Sequence, residues 1–250
     1  MKKCSLLILS FAVLLFSCVK DDPEDKDELN FPKEVSFMYL DSMVTYGVVL
    51  KEYTRDANND SLQTPVKKLW LDRNLGAQRV ATSENDLLAA GDLFQWGRGD
   101  DGHQIRNSDT THTISATHLP AHDEFIAAPL NSNNWLSPPN NELWNGPQNL
   151  NCPCPEGWRV PTKEELEMEM NSWNPKHKVG AFASTLKWVP GGNRDNHGTE
   201  RYTDIWSFIW SSTIHDNEAY ILAIISSDTT EIITSPRIFG GSVRCIKDPS

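Results

Sequence analysis

Beyond Phe16 the chain has no apolar run long enough to cross a bilayer, which takes about 20 residues, so no later membrane segment is expected. Basic residues are also scarce: 23 Lys and Arg stand against 34 Asp and Glu, a net charge of −11. Nucleic-acid binding needs clustered Lys and Arg to displace phosphate counterions, and docking on anionic lipid draws on the same residues. Neither partner is expected. Leu, Ile and Val are modest in number, while Asn, Asp, Ser and Thr abound beside nine Trp. That mixture argues against a helical bundle and for a loop-rich domain with a tryptophan-rich core. No cofactor is expected.

What is present starts at the N-terminus. Lys2 and Lys3 precede a 12-residue, almost wholly apolar stretch from Ser5 to Phe16, too short for a stable spanning helix. Ser17 and then Cys18 close that run, and the arrangement resembles the lipobox of bacterial lipoproteins. The resemblance implies that residues 1–17 are a signal peptide and that Cys18 is acylated, so that the membrane partner is reached through lipid. Losing Lys2 and Lys3 but no acid takes the mature net charge to −13. Residues 18–33 are charged, proline-bearing and without apolar periodicity, and read as an acidic tether. Lys20-Asp21-Asp22 resembles the surface-export signal of Bacteroidetes lipoproteins, which implies a lipid-anchored, surface-exposed place on the bacterial outer membrane.

Residues 34–250 are expected to form a single domain. Val35, Phe37 and Tyr39, then Val44, Tyr46, Val48 and Leu50, alternate as strands do, and Val66–Leu71 returns after the turn cluster Asp56–Asp60. A short helix is expected over Asn85–Ala90, followed by the aromatic segment Asp92–Trp96. Residues 97–150 carry no periodicity and read as one long loop, a feature that in compact domains is functional or disordered. Thr162 is a plausible N-cap for a helix through Leu166, Met170 and Trp173, ended by Asn174-Pro175. Short strands follow at 209–213, 219–225, 231–234 and 242–246. The fold class predicted is α+β with antiparallel character.

Of five cysteines, Cys4 leaves with the signal peptide and Cys18 carries lipid. Cys152, Cys154 and Cys245 remain, and outside the cytoplasm one disulfide with one free thiol is the simplest allocation. The three could share a metal, but no fourth soft ligand stands at a zinc-like spacing. His112, His118 and His122, with Asp123 and Glu124 beside them, read as solvated loop residues, because Pro120 keeps His118 and His122 off one regular helix face. No metal site is expected. Cys152 lacks a basic cluster or helix N-terminus to make it a nucleophile, and no catalytic residues are assigned: the chain is read as a non-enzyme.

Four blocks stand in order: Lys68–Leu75 (KLWLDRNL), Gly91–Arg98 (GDLFQWGR), Cys154–Thr162 (CPEGWRVPT) and Gly241–Ile246 (GSVRCI), with Trp210–Thr213 before the last. Together they resemble the Fibrobacter succinogenes major paralogous domain of surface lipoproteins and secreted proteins, over roughly residues 44–248. The resemblance implies a C-type-lectin-like α+β fold of short antiparallel strands, one or two helices and long loops, and a Cys154–Cys245 disulfide. Such a bridge closes a loop of about 92 residues, for which chain entropy gives roughly 4–5 kcal/mol as an upper figure. Arg159 and Arg244, each near or beside a cysteine, are placed to hold carbonyls or a carboxylate. The calcium-dependent sugar motifs of C-type lectins have no true counterpart, and the copper-binding cysteine pair of the related formylglycine-generating enzymes is missing. The function expected is a surface-anchored, non-enzymatic binding or adhesion lipoprotein that presents loop 97–150 to a glycan or a host or surface protein, with Trp135 and Trp144 as ligand-binding candidates. The alternative is a structural or accessory subunit of a surface assembly such as a pilus or uptake complex.

Overall fold

The computed structural model describes residues 31–127, 132–145, 149–225 and 229–249; the expectations for residues 1–17, Cys18 and the tether up to Asn30 lie outside them. In chain order the first elements are β1 (Glu34–Tyr39), β2 (Ser42–Arg55), β3 (Ser61–Leu71), β4 (Phe94–Gln95), β5 (Thr110–Thr111) and β6 (Phe125–Ile126). Helices α1 (Lys163–Asn171) and α2 (Lys178–Ala183) come next, then β7 (Asn193–Arg194), β8 (Glu200–Arg201) and β9 (Ser207–His215). The chain closes with β10 (Glu218–Ile224), β11 (Thr230–Pro236), β12 (Gly240–Gly241) and β13 (Ile246–Lys247).

Alternation decides most of this. Strands β1 and β2 form a hairpin in register from Glu34↔Gly47 to Tyr39↔Ser42, turned by Leu40 and Asp41 at φ 46° and 59°, the left-handed pair that a two-residue hairpin needs. Its alternate residues Phe37, Tyr39, Tyr46 and Val48 face the core. Strand β3 pairs with β2, and β13 returns to the far edge of β3 through Ile246↔Trp70. The second sheet is the meander β11-β10-β9. Its two faces divide the interior: Trp210 and Ile221 belong to the larger core, while Ile209, Leu222 and Ile224 pack with Leu166 of α1, Ala181 of α2 and the indoles of Trp70, Trp173 and Trp188. Short strands β4-β12-β7-β8 form a third sheet, and β5 and β6 pair in parallel.

These elements correct the expected fold. The chain is predominantly β, built of several antiparallel sheets with only two α-helices among the described residues, and it is not the α+β C-type-lectin-like fold. Helical spacing in the sequence is confined to one stretch, whereas the alternating runs extend into strands of 14 and 11 residues. The helix expected at 85–90 is a single 3-10 turn, Leu87–Ala89. Loop 97–150 is also less open than expected: its Phe125, Ile126, Trp135, Leu136, Leu143 and Trp144 are buried. No helix among the described residues is long and apolar enough to cross a membrane.

Gly97 shows how tightly that segment is fitted. It sits at φ +87°, and a Cβ there would lie 2.6 Å from the Leu143 Cδ1. Gly97→Ala combines left-handed strain with a clash, and we expect it to cost about 1–3 kcal/mol. A thermal melt that matches the parent protein would contradict this.

Candidate functional site

The sequence blocks meet in space, and each does structural work. Cys154 and Cys245 form a disulfide with Cα atoms 5.7 Å apart, as the resemblance implied. Gln95 is fully buried; its amide donates to the carbonyls of Ile126 and Ile238 at 2.9 and 2.7 Å, and its Oε1 accepts from the Ile126 N–H and Arg98. The Trp96 indole donates to the Ser211 carbonyl, and that of Trp210 to the Phe94 carbonyl. Arg244 is buried, lies 4.4 Å from the Trp188 ring and donates to Asn74 Oδ1 and to the carbonyls of Leu71 and Leu186. Burial without a touching carboxylate pulls its guanidinium down to about 9.

Arg159 takes the other option open to an arginine. It grips Glu165 through two bonds of 2.6 and 2.7 Å, and Lys68 reaches the same carboxylate at 2.9 Å. Burial opposes ionisation of Glu165, but Arg159 foremost and Lys68 after it hold the carboxyl below its usual range. Glu165 also completes the N-terminus of α1: Thr162 Oγ1 accepts from the Glu165 N–H, and Glu165 Oε2 accepts from the Thr162 N–H.

Two buried polar centres were not read from the sequence. The first is Glu169 on α1, whose fully buried carboxylate gathers Tyr53, Trp173, Trp188, Ser184 and Lys51. In the second, buried Arg98 and His103 share the exposed Asp101. Arg98 donates to Asp101 Oδ2 at 2.8 and 3.1 Å, and His103 Nδ1 lies 2.5 Å from Asp101 Oδ1. The His103 Nε2 accepts from the Gln95 N–H at 3.0 Å, which fixes the neutral tautomer with its proton on Nδ1. An Asp–His pair can serve a nucleophile, but here the free nitrogen is spent on backbone and the ring is fully enclosed.

Burial, and then the nearby Arg98 charge, depress His103 to about 4. The sign follows directly: the unfolded imidazole takes up a proton near 6.5 and the folded one resists until about 4, so stability is complete above pH 6.5 and drains away as pH falls through that window. At 1.36 kcal/mol per unit the loss is on the order of 3 kcal/mol. Urea midpoints measured from pH 7 to pH 4 should fall in the parent and fall less in His103→Gln; parallel curves would contradict the assignment.

Trp135 and Trp144 lie in the core and not on the surface. Both are buried, and their indole N–H groups donate to the Trp96 carbonyl at 2.7 Å and to the Asn151 carbonyl at 3.0 Å. The physical reason is shared: a buried indole needs an acceptor, and the chain folds back to supply one. His112, His118 and His122 go separate ways, to the Ala127 carbonyl, the Asn151 side chain and the Glu124 N–H. Among the described residues no three His, Cys, Asp or Glu side chains gather in a way that could hold a metal ion. Cys152 is free and half-buried, and burial pushes its thiol up, away from nucleophilic character.

What segment 97–150 does offer is a groove of about 700 Å³. Ala116, Leu136, Pro138 and Pro139 give it apolar walls, and Thr117, His118, Asn140, Asn141 and Glu142 give it polar ones. It is mounted on the core. Ser115 bridges Leu136, the Ser137 N–H donates to the Ser115 carbonyl, and Asn151 Nδ2 ties the carbonyls of His118 and Gly97. Buried Arg237 reaches the Asn140 carbonyl at 3.4 Å while lying 4.5 Å from the Trp96 ring. The Pro138-Pro139-Asn140-Asn141-Glu142 string was visible in the sequence; what brings Ala116–His118 opposite it was not. In comparisons with known proteins, no family model, no curated protein and no solved structure matches the chain.

Proposed function

We propose that the protein is a lipid-anchored binding module of the bacterial outer-membrane surface, held there through Cys18 and offering the groove at 116–118 and 136–142 to a glycan. The observation that carries this reading is the groove itself, a concave site of ligand-binding size with proline and leucine faces beside amides, an imidazole and a carboxylate. Apolar faces suit the C–H face of a sugar ring, and Asn140, Asn141 and Glu142 suit its hydroxyls. The lipobox-like N-terminus and the resemblance of the four blocks to a surface-protein family support the address.

Two measurements test it. On a glycan array, the folded wild-type chain should bind a restricted set of glycans, and the pair Asn141→Ala with Glu142→Ala should weaken that binding by about tenfold or more with the melt preserved. A folded wild-type protein that binds no glycan sinks the ligand half of the proposal. In cells, labelled palmitate should enter the wild type and not Cys18→Ser, and protease added outside should degrade the former; absence of label in the wild type overturns the anchor.

A further inference from the structure

The meander β9–β11 has two edges, and they are treated differently. Along β9, the Trp210 N–H donates to the Ser242 carbonyl at 3.0 Å, the Ser242 N–H to the Phe208 carbonyl at 2.8 Å, and the Ser212 N–H to the Pro161 carbonyl at 2.7 Å. That edge is closed. Strand β11 ends its sheet, and among the described residues its outer side pairs with no strand. Edges left open in soluble proteins are normally blunted by lysines, bulges or an internal proline. Strand β11 has none of these: its one charge is Glu231, its register with β10 runs unbroken from Glu218↔Pro236 to Ile224↔Thr230, and its proline is the last residue.

A pocket of about 250 Å³ adjoins this edge. Phe208, Trp210, Ile221, Ile233 and Phe239 line it, with Asn193. The register places Ile233, Ile221 and Trp210 in one row across the three strands, so the pocket floor runs inward from the open edge. Asn193 stands in the lining, and its buried Oδ1 has no hydrogen-bond partner among the described residues. A row of unpaired backbone N–H and C=O groups at strand spacing is matched by another backbone, and a pocket beside it by one side chain of that backbone. The chain's net charge of −11 opposes a second copy and favours a neutral or basic partner.

We propose that β11 and its pocket form a strand-addition site for an extended, neutral or basic peptide segment of another protein, with one bulky apolar residue seated against Trp210 and Ile221. The site is separate from the groove at 116–142 and stands whether or not that groove binds a glycan.

The test uses the full chain in detergent against immobilised short synthetic peptides that are random except for one fixed Leu, Phe, Lys or Glu. Selection should favour Leu or Phe at a single position and Lys over Glu at its flanks. N-methylation of alternate amides in the selected peptide should abolish binding for one alternation and spare the other. Ser235→Phe, which fills the pocket from its rim, should weaken binding by about tenfold or more, while Asn141→Ala should not. The N-methyl scan needs no variant and decides the matter even where Ser235→Phe fails to fold. No selection by the folded chain, or indifference to both N-methyl series, overturns the proposal. Dimerisation in sedimentation equilibrium that Ser235→Phe abolishes also overturns it, because a second copy then occupies the edge.

Discussion

Replacing Glu169 by alanine is expected to destabilise the domain by about 3–5 kcal/mol, the cost of removing one partner from a buried charged cluster. The carboxylate is wholly enclosed, and its two oxygens divide the work. Oε1 accepts from the Trp173 indole at 2.8 Å, the Trp188 indole at 3.0 Å and the Ser184 hydroxyl at 2.9 Å. Oε2 accepts from the Tyr53 hydroxyl at 2.9 Å and faces the Lys51 ammonium at 3.2 Å. Tyr53 in turn accepts from the Trp70 indole at 2.8 Å, so three tryptophans of the second core hang on one side chain. Burial first, then the Glu169 charge, raise the Tyr53 hydroxyl far above its ordinary range, which keeps it a donor at any physiological pH. Alanine leaves two indoles, a phenol and the Ser184 hydroxyl without this acceptor, and each such orphan costs about 1–3 kcal/mol, though not additively. Glutamine keeps an oxygen for the indoles but turns a donor toward Tyr53 and Lys51, so Glu169→Gln should fall between. Urea unfolding followed by tryptophan fluorescence gives the answer: the midpoint should drop with the slope unchanged. A loss under about 1 kcal/mol would mean that the hub is not cooperative.

This cluster also marks where the sequence stops being readable. Thr162 as an N-cap and Glu165 in the first turn were legible, because a helix start is settled within four residues of chain. Strands β1, β2 and β3 were legible in outline from alternation, and the Cys154–Cys245 pair followed from the block resemblance. Glu169 was not legible: in sequence it is one of four glutamates on a short helix, and only distant Tyr53 and Trp188 make it a core residue. His103 was missed although its partners Asp101 and Gln95 lie only two and eight residues away, because that spacing follows no helix or strand period and its burial shows only in the fold. The burial of Trp135 and Trp144 is instructive in the other direction. A tryptophan among Asn, Ser and Pro looks exposed by its neighbours, yet its burial is decided by which carbonyl can receive its N–H. The fold class failed because the blocks report local pairings such as Gly241↔Phe94 and Ile246↔Trp70, while the long strands β1, β2, β10 and β11 lie outside them. The groove at 116–142 needed both halves of a loop to be brought together, and no local pattern reports that.

Replacing both Cys154 and Cys245 by serine is the other change with a large expected effect, about 3–5 kcal/mol. The separation of 91 residues puts the chain-entropy value at roughly 4–5 kcal/mol, and two features set where the measured loss falls. The first lowers it. The C-terminal strand is already held without the bridge, by the Leu71 N–H on the Cys245 carbonyl at 3.0 Å and by reciprocal bonds between Arg159 and Ile246 at 3.0 and 2.9 Å. Ion pairs from Arg159 and Lys68 to Asp248 act on the same strand, though Asp248 is well exposed and they add little. The second raises it: Cys245 lies in the larger core, so a serine there puts a hydroxyl among apolar neighbours. Because the bridge acts chiefly on the unfolded chain, the reduced variant should show a steeper urea dependence as well as a lower midpoint, since its unfolded state exposes more surface. It should also refold more slowly, with little change in unfolding rate, because the 92-residue loop must then be closed during folding at about the same entropic cost. A variant that loses midpoint with an unchanged slope and refolding rate, and unfolds faster instead, would place the effect in the native core at Cys245 and not in the loop.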